Sequence, residues 1–198
     1  MIVALILGRK GSKGFPGKNK TNVLGKPLAW YPMKTASSVS EIHKAYLSTD
    51  DSDLMMIAKS LGIEIIERPD YLANDQALGE HAYVHGYKEI CRQEGEKPEL
   101  VVLLFCNAAT ISVKAICDGI TLLRKQPEFD SAVTVSRYNM WSPLRARKLN
   151  NKGCLQPFVP FEVFGDPRTL NCDRDSQGDV LYADMGCSVV RPECLENL

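Results

Sequence analysis

No acidic side chain precedes Glu41, whereas Arg9, Lys10, Lys13, Lys18, Lys20, Lys26 and Lys34 all do. Cations are therefore concentrated at the N-terminal end. The whole chain has no excess of either sign, since 24 Lys and Arg balance 24 Asp and Glu. That balance argues against nucleic acid or an anionic membrane as partner, but it leaves room for a local cationic site. No apolar run approaches the about 20 residues that cross a bilayer. The opening MIVALIL lacks the basic n-region and cleavage site of a secretory signal, so a buried strand is expected there. The seven cysteines are odd in number and contain no close CxxC pair. They read as free thiols in a reducing compartment, and the cytoplasm is the default location. Histidine is scarce. His81 and His85 stand four apart on one helical face, but no glutamate of an HExxH pattern lies between them. A surface or interface role fits them better than metal ligation.

What is present fits one globular domain: 198 residues, 44% hydrophobic and 24% charged. Ile2 to Leu7 reads as a buried parallel strand that ends abruptly in glycine and charge. Further strands are expected at Ala45 to Ser48, at Ile63 to Ile66, at Leu100 to Phe105 and at Ser131 to Ser136. Cys187 to Val190 returns to the sheet. Helices are expected at Pro27 to Val39 (with Pro32 a possible break), Asp50 to Leu61, Leu78 to Glu94 and Val113 to Lys125. Asp51 or Ser52 would cap the second and Ser112 the last. This alternation predicts an α/β fold: an open, mostly parallel, Rossmann-like sheet with helices on both faces. Residues 139–181 differ, with scattered aromatics, prolines and glycines and weak periodicity. They are expected to protrude as strands and loops from a single nucleotidyltransferase domain spanning 1–198. That region would line the substrate site or serve dimerisation, with Trp141, Phe158, Phe161 and Phe164 as a candidate interface patch.

Residues 8–26 carry five glycines, one proline and six basic side chains. Leu7 delivers Gly8, Gly11 and Gly14 into a turn whose backbone amides can approach phosphate oxygens. Arg9, Lys13 and Lys18 can neutralise a triphosphate, Arg9 with a geometric fork. The GxxxxGK[ST] and GxGxxG patterns are both absent. Composition alone leaves two readings, a phosphate cradle and a solvated basic turn.

At this loop the sequence resembles the acylneuraminate cytidylyltransferase family, the CMP-sialic acid synthetases and their relatives. The match runs through Arg9, Gly11, Ser12, Lys13, Gly14, Lys18 and Asn19, then Gly25 to Leu28 as GKPL. STDD at Ser48 to Asp51, the following IAKSLGIEIIERPDYLA, and the VVLL and DSAVTV segments extend the resemblance over nearly the whole chain. It implies transfer of CMP from CTP to an acidic 2-keto-3-deoxy sugar, with release of pyrophosphate and a divalent metal, usually Mg2+. It also implies a homodimer. Arg9 and Lys18 would be the catalytic cations. Leu7, Gly8, Arg9, Gly11, Ser12, Lys13, Lys18, Asn19 and Asn107 would surround the nucleotide. Arg174, Tyr182, Met185 and Gly186 would face the sugar.

The chain departs from the family pattern in three places. LLFCNAATIS stands where LLQPTSPLR is usual, with Phe105 in place of glutamine and Ile111 near the usual arginine. Met185 stands where the family has asparagine. The family's metal-binding DxD segment would lie beyond Leu198, so the metal ligands are unknown. Asp50, Asp51, Asp173, Asp175, Asp179 and Asp184 are candidates without diagnostic spacing. Cys106 follows a strand, but no nearby His is evident as its base, so a core or pocket-wall thiol is expected. Two alternatives remain open: a nucleotidyltransferase for another sugar or alcohol phosphate, and a catalytically silent nucleotide-binding member.

Overall fold

Six consecutive apolar residues, Ile2–Leu7, form strand β1, and all six are buried. The computed structural model describes residues 1–11, 14–74, 76–171, 173 and 178–198. A tiny antiparallel hairpin follows, β2 (Asn22–Val23) and β3 (Lys26–Pro27), then helix α1 (Trp30–Ala36). The helix is shorter than expected. Leu28 and Ala29 give their amides to the carbonyls of Thr21 and Asn19, which holds them in the loop instead. Pro32 falls in the first turn, where a missing N–H costs no intrahelical bond.

The alternation then proceeds largely as expected. Strand β4 is Lys44–Thr49, helix α2 is Ser52–Ser60 and strand β5 is Glu64–Glu67. Asp51 caps α2, its carboxylate accepting from the Asp53 amide. A short helix α3 (Asp70–Ala73) precedes the long α4 (Gly79–Glu94). Strand β6 is Leu100–Phe105 and helix α5 is Val113–Lys125, capped by the Ser112 hydroxyl. Strand β7 is Ser131–Arg137. After it come a second small hairpin, β8 (Arg147–Leu149) with β9 (Leu155–Pro157), the long β10 (Leu181–Val190) and helix α6 (Pro192–Glu196). β10 begins six residues before the expected Cys187.

The main sheet has the order β5-β4-β1-β6-β10-β7. β5, β4, β1 and β6 run parallel, and β10 runs antiparallel to β6. Alternate residues of β1 feed two cores. Ile2, Ala4 and Ile6 pack with residues of α1, α2 and α5. Val3, Leu5 and Leu7 pack with residues of α4 and α6. Both faces are covered, which is why this strand reads as a continuous apolar run. Burying each of its Val, Leu and Ile side chains is worth about 1.5–3 kcal/mol.

The chain divides into two compact units. One comprises Met1–Thr134 and Met185–Leu198, the other Val135–Asp184. The second unit holds β8 and β9 and several 3-10 turns, and many of its apolar side chains are exposed.

Candidate nucleotide site

After β1 the chain passes to β4 and β5 on one side, then returns to β6 on the other. The carboxyl ends of β1 and β6 therefore flank a topological switch point, where open α/β sheets bind ligands. A cavity of about 280 Å³ lies there. Leu7, Gly8, Arg9, Gly11, Lys18, Asn19 and Asn107, all expected from the sequence, line it together. Ser12, Lys13 and Arg174 were also expected at the site and lie outside the described residues.

Position 8 has no free space for a side chain as its neighbours stand. A Cβ there would lie 2.4 Å from Cys106 Sγ and 2.8 Å from a Leu54 methyl. Gly8 N–H bonds the Ser48 carbonyl at 3.2 Å, and Cys106 N–H bonds the Leu7 carbonyl at 2.9 Å. Cys106 is a buried core thiol, one of the two roles expected for it, and burial pushes its pKa up to about 12. It stays protonated and is no nucleophile.

The basic loop is pinned from several sides. Lys10 N–H donates to Asp50 Oδ1 at 2.7 Å. Gly17, in the left-handed region at φ 71°, turns the chain into a 3-10 turn, Lys18–Lys20. Lys20 Nζ then reaches Asp53 at 2.8 Å and Asp51 at 3.3 Å. Those carboxylates raise the Lys20 pKa, the Asp53 hydrogen bond contributing most. Lys20 thus ties the turn that carries Lys18 and Asn19 to the N-terminus of α2. The Asn19 Oδ1 atom is buried and has no partner among the described residues. A second, smaller cavity of about 90 Å³ adjoins this loop, between Arg9, Lys18, Lys20 and Asp51.

Phe105, which stands where the family has glutamine, also lines the cavity, and sequence reasoning missed the rest of the wall: Arg68, Leu72, Ala77, Leu78, Gly79 and Ala82. Arg68 is the most informative of these. It is only 7% exposed, yet its guanidinium hydrogen bonds go to Ser48 alone among the described residues, the hydroxyl at 3.2 Å and the carbonyl at 2.7 Å. Burial lowers its pKa from the ordinary arginine value, and the Asp50 charge opposes that shift. A guanidinium this buried without a carboxylate partner calls for an anion. The available signal was its place just after a strand, at the same carboxyl edge as Arg9. Ile111, near the position of a family arginine, packs against the core beside α5 instead.

The remaining expected residues lie on β10. Tyr182 donates its hydroxyl to the Trp141 carbonyl and stacks edge-on with Tyr138 at 5.9 Å. Met185 is exposed, in the left-handed region at φ 59°, and Gly186 follows it. Met185 and Gly186 are not among the residues that line the cavity.

The described carboxylates do not make a resident metal centre, and the candidate Asp175 lies outside the described residues. Among the described residues no three His, Cys, Asp or Glu side chains gather to hold an ion. Asp50 is taken by Lys10 N–H, and Asp51 by its cap and Lys20. Asp179 pairs with Arg137 and Asp184 accepts from Ser136. No helix among the described residues is long and apolar enough to cross a membrane.

The chain is similar in sequence and fold to known proteins. The chain is 26% identical over 150 residues to the pseudaminic acid cytidylyltransferase and UDP-2,4-diacetamido-2,4,6-trideoxy-beta-L-altropyranose hydrolase of Helicobacter pylori, covering 75% of this chain and 28% of that protein. It is 37% identical over 76 residues to the N-acylneuraminate cytidylyltransferase of Escherichia coli, covering 38% of this chain and 18% of that one. It thus spans less than a third of the length of these two relatives. Its fold resembles that of CMP:2-keto-3-deoxy-manno-octonic acid synthetase complexed with CTP, with a TM-score of 0.69 at 19% identity, over 99% of this chain and 76% of that one. The sequence model of the family described as "Cytidylyltransferase" matches residues 3–105, more than half of the chain, and the chain belongs to that family.

Proposed function

We propose that this protein transfers CMP from CTP to an acidic 2-keto-3-deoxy sugar and releases pyrophosphate. The observation that carries the reading is the cavity at the ends of β1 and β6, where Arg9, Lys18 and the buried Arg68 converge beside a glycine-rich loop. Three cations in one cavity match a triphosphate, and nucleotidyl transfer needs positioning and charge neutralisation more than a covalent group from the protein. In the proposed step the anomeric hydroxyl oxygen of the sugar bonds to the α-phosphorus. The bond from that phosphorus to the α,β-bridging oxygen breaks, pyrophosphate carries away the electron pair, and the hydroxyl proton passes to solvent. Arg9 and Lys18 hold the phosphates as charge moves onto the leaving group. Arg68 supplies a fixed, desolvated positive charge that needs no reorganisation.

Mg2+ belongs to this proposal as a companion of the triphosphate, bound mainly by phosphate oxygens and water. The described carboxylates do not fit a resident ion. A homodimer and a cytoplasmic location complete the reading. The dimer is supported by exposed apolar residues of the 139–181 region, among them Trp141, Leu155 and Phe158.

The test is pyrophosphate release by the full-length protein with Mg2+, across four nucleoside triphosphates and a panel of acidic sugars. Release is expected with CTP only when a keto-sugar acid is present. Arg68→Met should lower kcat/KM on the order of 10²-fold, because it truncates a buried charge pair with the ligand. Release with another triphosphate, or with a sugar phosphate as the acceptor, would replace this reading with a different nucleotidyltransferase.

A further inference from the structure

Phe105 is the one aromatic side chain lining the candidate nucleotide cavity among the described residues. Its ring is held rather than loose. Tyr83 packs edge-on against it, with centroids 5.5 Å apart and planes at 61°. Tyr83 is itself buried and donates its hydroxyl to the Leu104 carbonyl at 3.0 Å, on the residue next to Phe105. Burial pushes the tyrosine pKa up, so the hydroxyl remains a neutral donor. Gly79, the first residue of α4, leaves room beside the ring; a Cβ there would come within 3.9 Å of it. Phe105 stays half-buried, with part of its surface open.

The cavity combines two chemistries. Arg9, Lys18 and Arg68 are cationic, while Leu72, Ala77, Leu78, Ala82 and Phe105 are apolar. A nucleoside triphosphate is a polyanion joined to a flat ring. Once its phosphates meet the cations, the base has the apolar wall to pack on, and one fixed ring in that wall. We propose that Phe105 is the platform on which the nucleobase stacks, and that Tyr83 is the positioning residue that holds it. This rests on the reading of the cavity as a nucleotide site. Every base has a π-face, so the platform adds affinity without distinguishing cytosine from uracil. Discrimination between them falls to hydrogen-bonding groups elsewhere in the wall.

The experiment is calorimetric titration of the full-length protein with CTP, UTP and inorganic tripolyphosphate. Phe105→Leu keeps an apolar side chain and should weaken CTP and UTP by a common factor of about 5- to 150-fold. Tripolyphosphate, which has no base, should bind it as it binds the wild type. Phe105→Trp should retain CTP affinity. Tyr83→Leu should weaken CTP but not tripolyphosphate, and Tyr83→Phe should restore most of the loss. Equal weakening of tripolyphosphate, or unchanged CTP affinity in Phe105→Leu, would overturn the platform. A wild-type protein that binds neither CTP nor UTP would overturn the nucleotide site itself, a separate result.

Discussion

The two units of this chain are built on different principles. In the first, β1 is buried along its whole length and the helices close over both sheet faces. Its fixed polar groups are tied to specific partners, as Lys20 is to Asp51 and Asp53. In the second, Val135–Asp184, the hairpin strands are three residues each and Leu149 and Leu155 are about 70% exposed. The first unit stores its information in packing density, and the second leaves apolar surface uncovered. A site assembled in the first can be rigid before any ligand arrives. Apolar surface left open in the second is available to something outside the chain.

The largest expected effect tests the density of the first unit. Gly8→Ala would drive a Cβ to 2.4 Å from Cys106 Sγ and 2.8 Å from a Leu54 methyl, so buried side chains must shift to admit it. A loss of about 1–3 kcal/mol in stability is expected, as for other overpacked cores. Nucleotide affinity should fall with it, because Leu7, Gly8 and Arg9 are consecutive wall residues. Adding Cys106→Ala removes the clashing sulfur and should recover part of both losses. Chemical denaturation of the two single variants and the double variant measures this as a coupling energy. Additive single and double effects would mean that the strand ends are not packed as described.

This contrast also explains what the sequence disclosed. The strands of the main sheet were legible because burial on two faces demands unbroken apolar runs, as in IVALIL and LVVLLF. The α2 and α5 caps were legible because Asp51 and Ser112 have short side-chain oxygens that reach nearby amides. The basic loop was legible as a ligand site from glycine and charge together. The hairpin of β2 and β3 inside it was not. Its tip is Leu24 and Gly25, both at positive φ, where leucine gives no turn signal. Arg68 was missed as a wall residue because folding alone brings the end of β5 to the same cavity as the end of β1. The outer part of β10 was missed because residues 181–186 are mostly exposed and show no burial pattern.

A smaller effect is expected at Met185, where β10 returns to the first unit. Met185 sits at φ 59°, a conformation that costs an ordinary side chain about 1–2 kcal/mol and that asparagine tolerates better. The side chain is 64% exposed, so replacing it sacrifices little burial. Met185→Asn should therefore raise stability by about 0.5–1 kcal/mol, read as a higher urea midpoint at unchanged m-value. No gain would show that the left-handed geometry at this residue is compensated by its surroundings.

The smallest intrinsic effect should come from the second unit itself. Leu149 and Leu155 are direct partners across the β8–β9 ladder, and both are exposed. Replacing Leu155 with Ser removes an apolar group that the chain does not bury. In the isolated protomer the change should fall within about 0.5 kcal/mol. If a second copy covers this face, as the proposed dimer requires, the same substitution acts on association instead. Sedimentation velocity should then show a shift from dimer toward monomer. The difference in stability between variant and wild type should grow with protein concentration, since assembly stabilises by mass action. A concentration-independent loss well above about 0.5 kcal/mol would break the comparison from the other side. It would mean that Leu155 is packed within its own protomer, and that the second unit buries its apolar groups internally just as the first does.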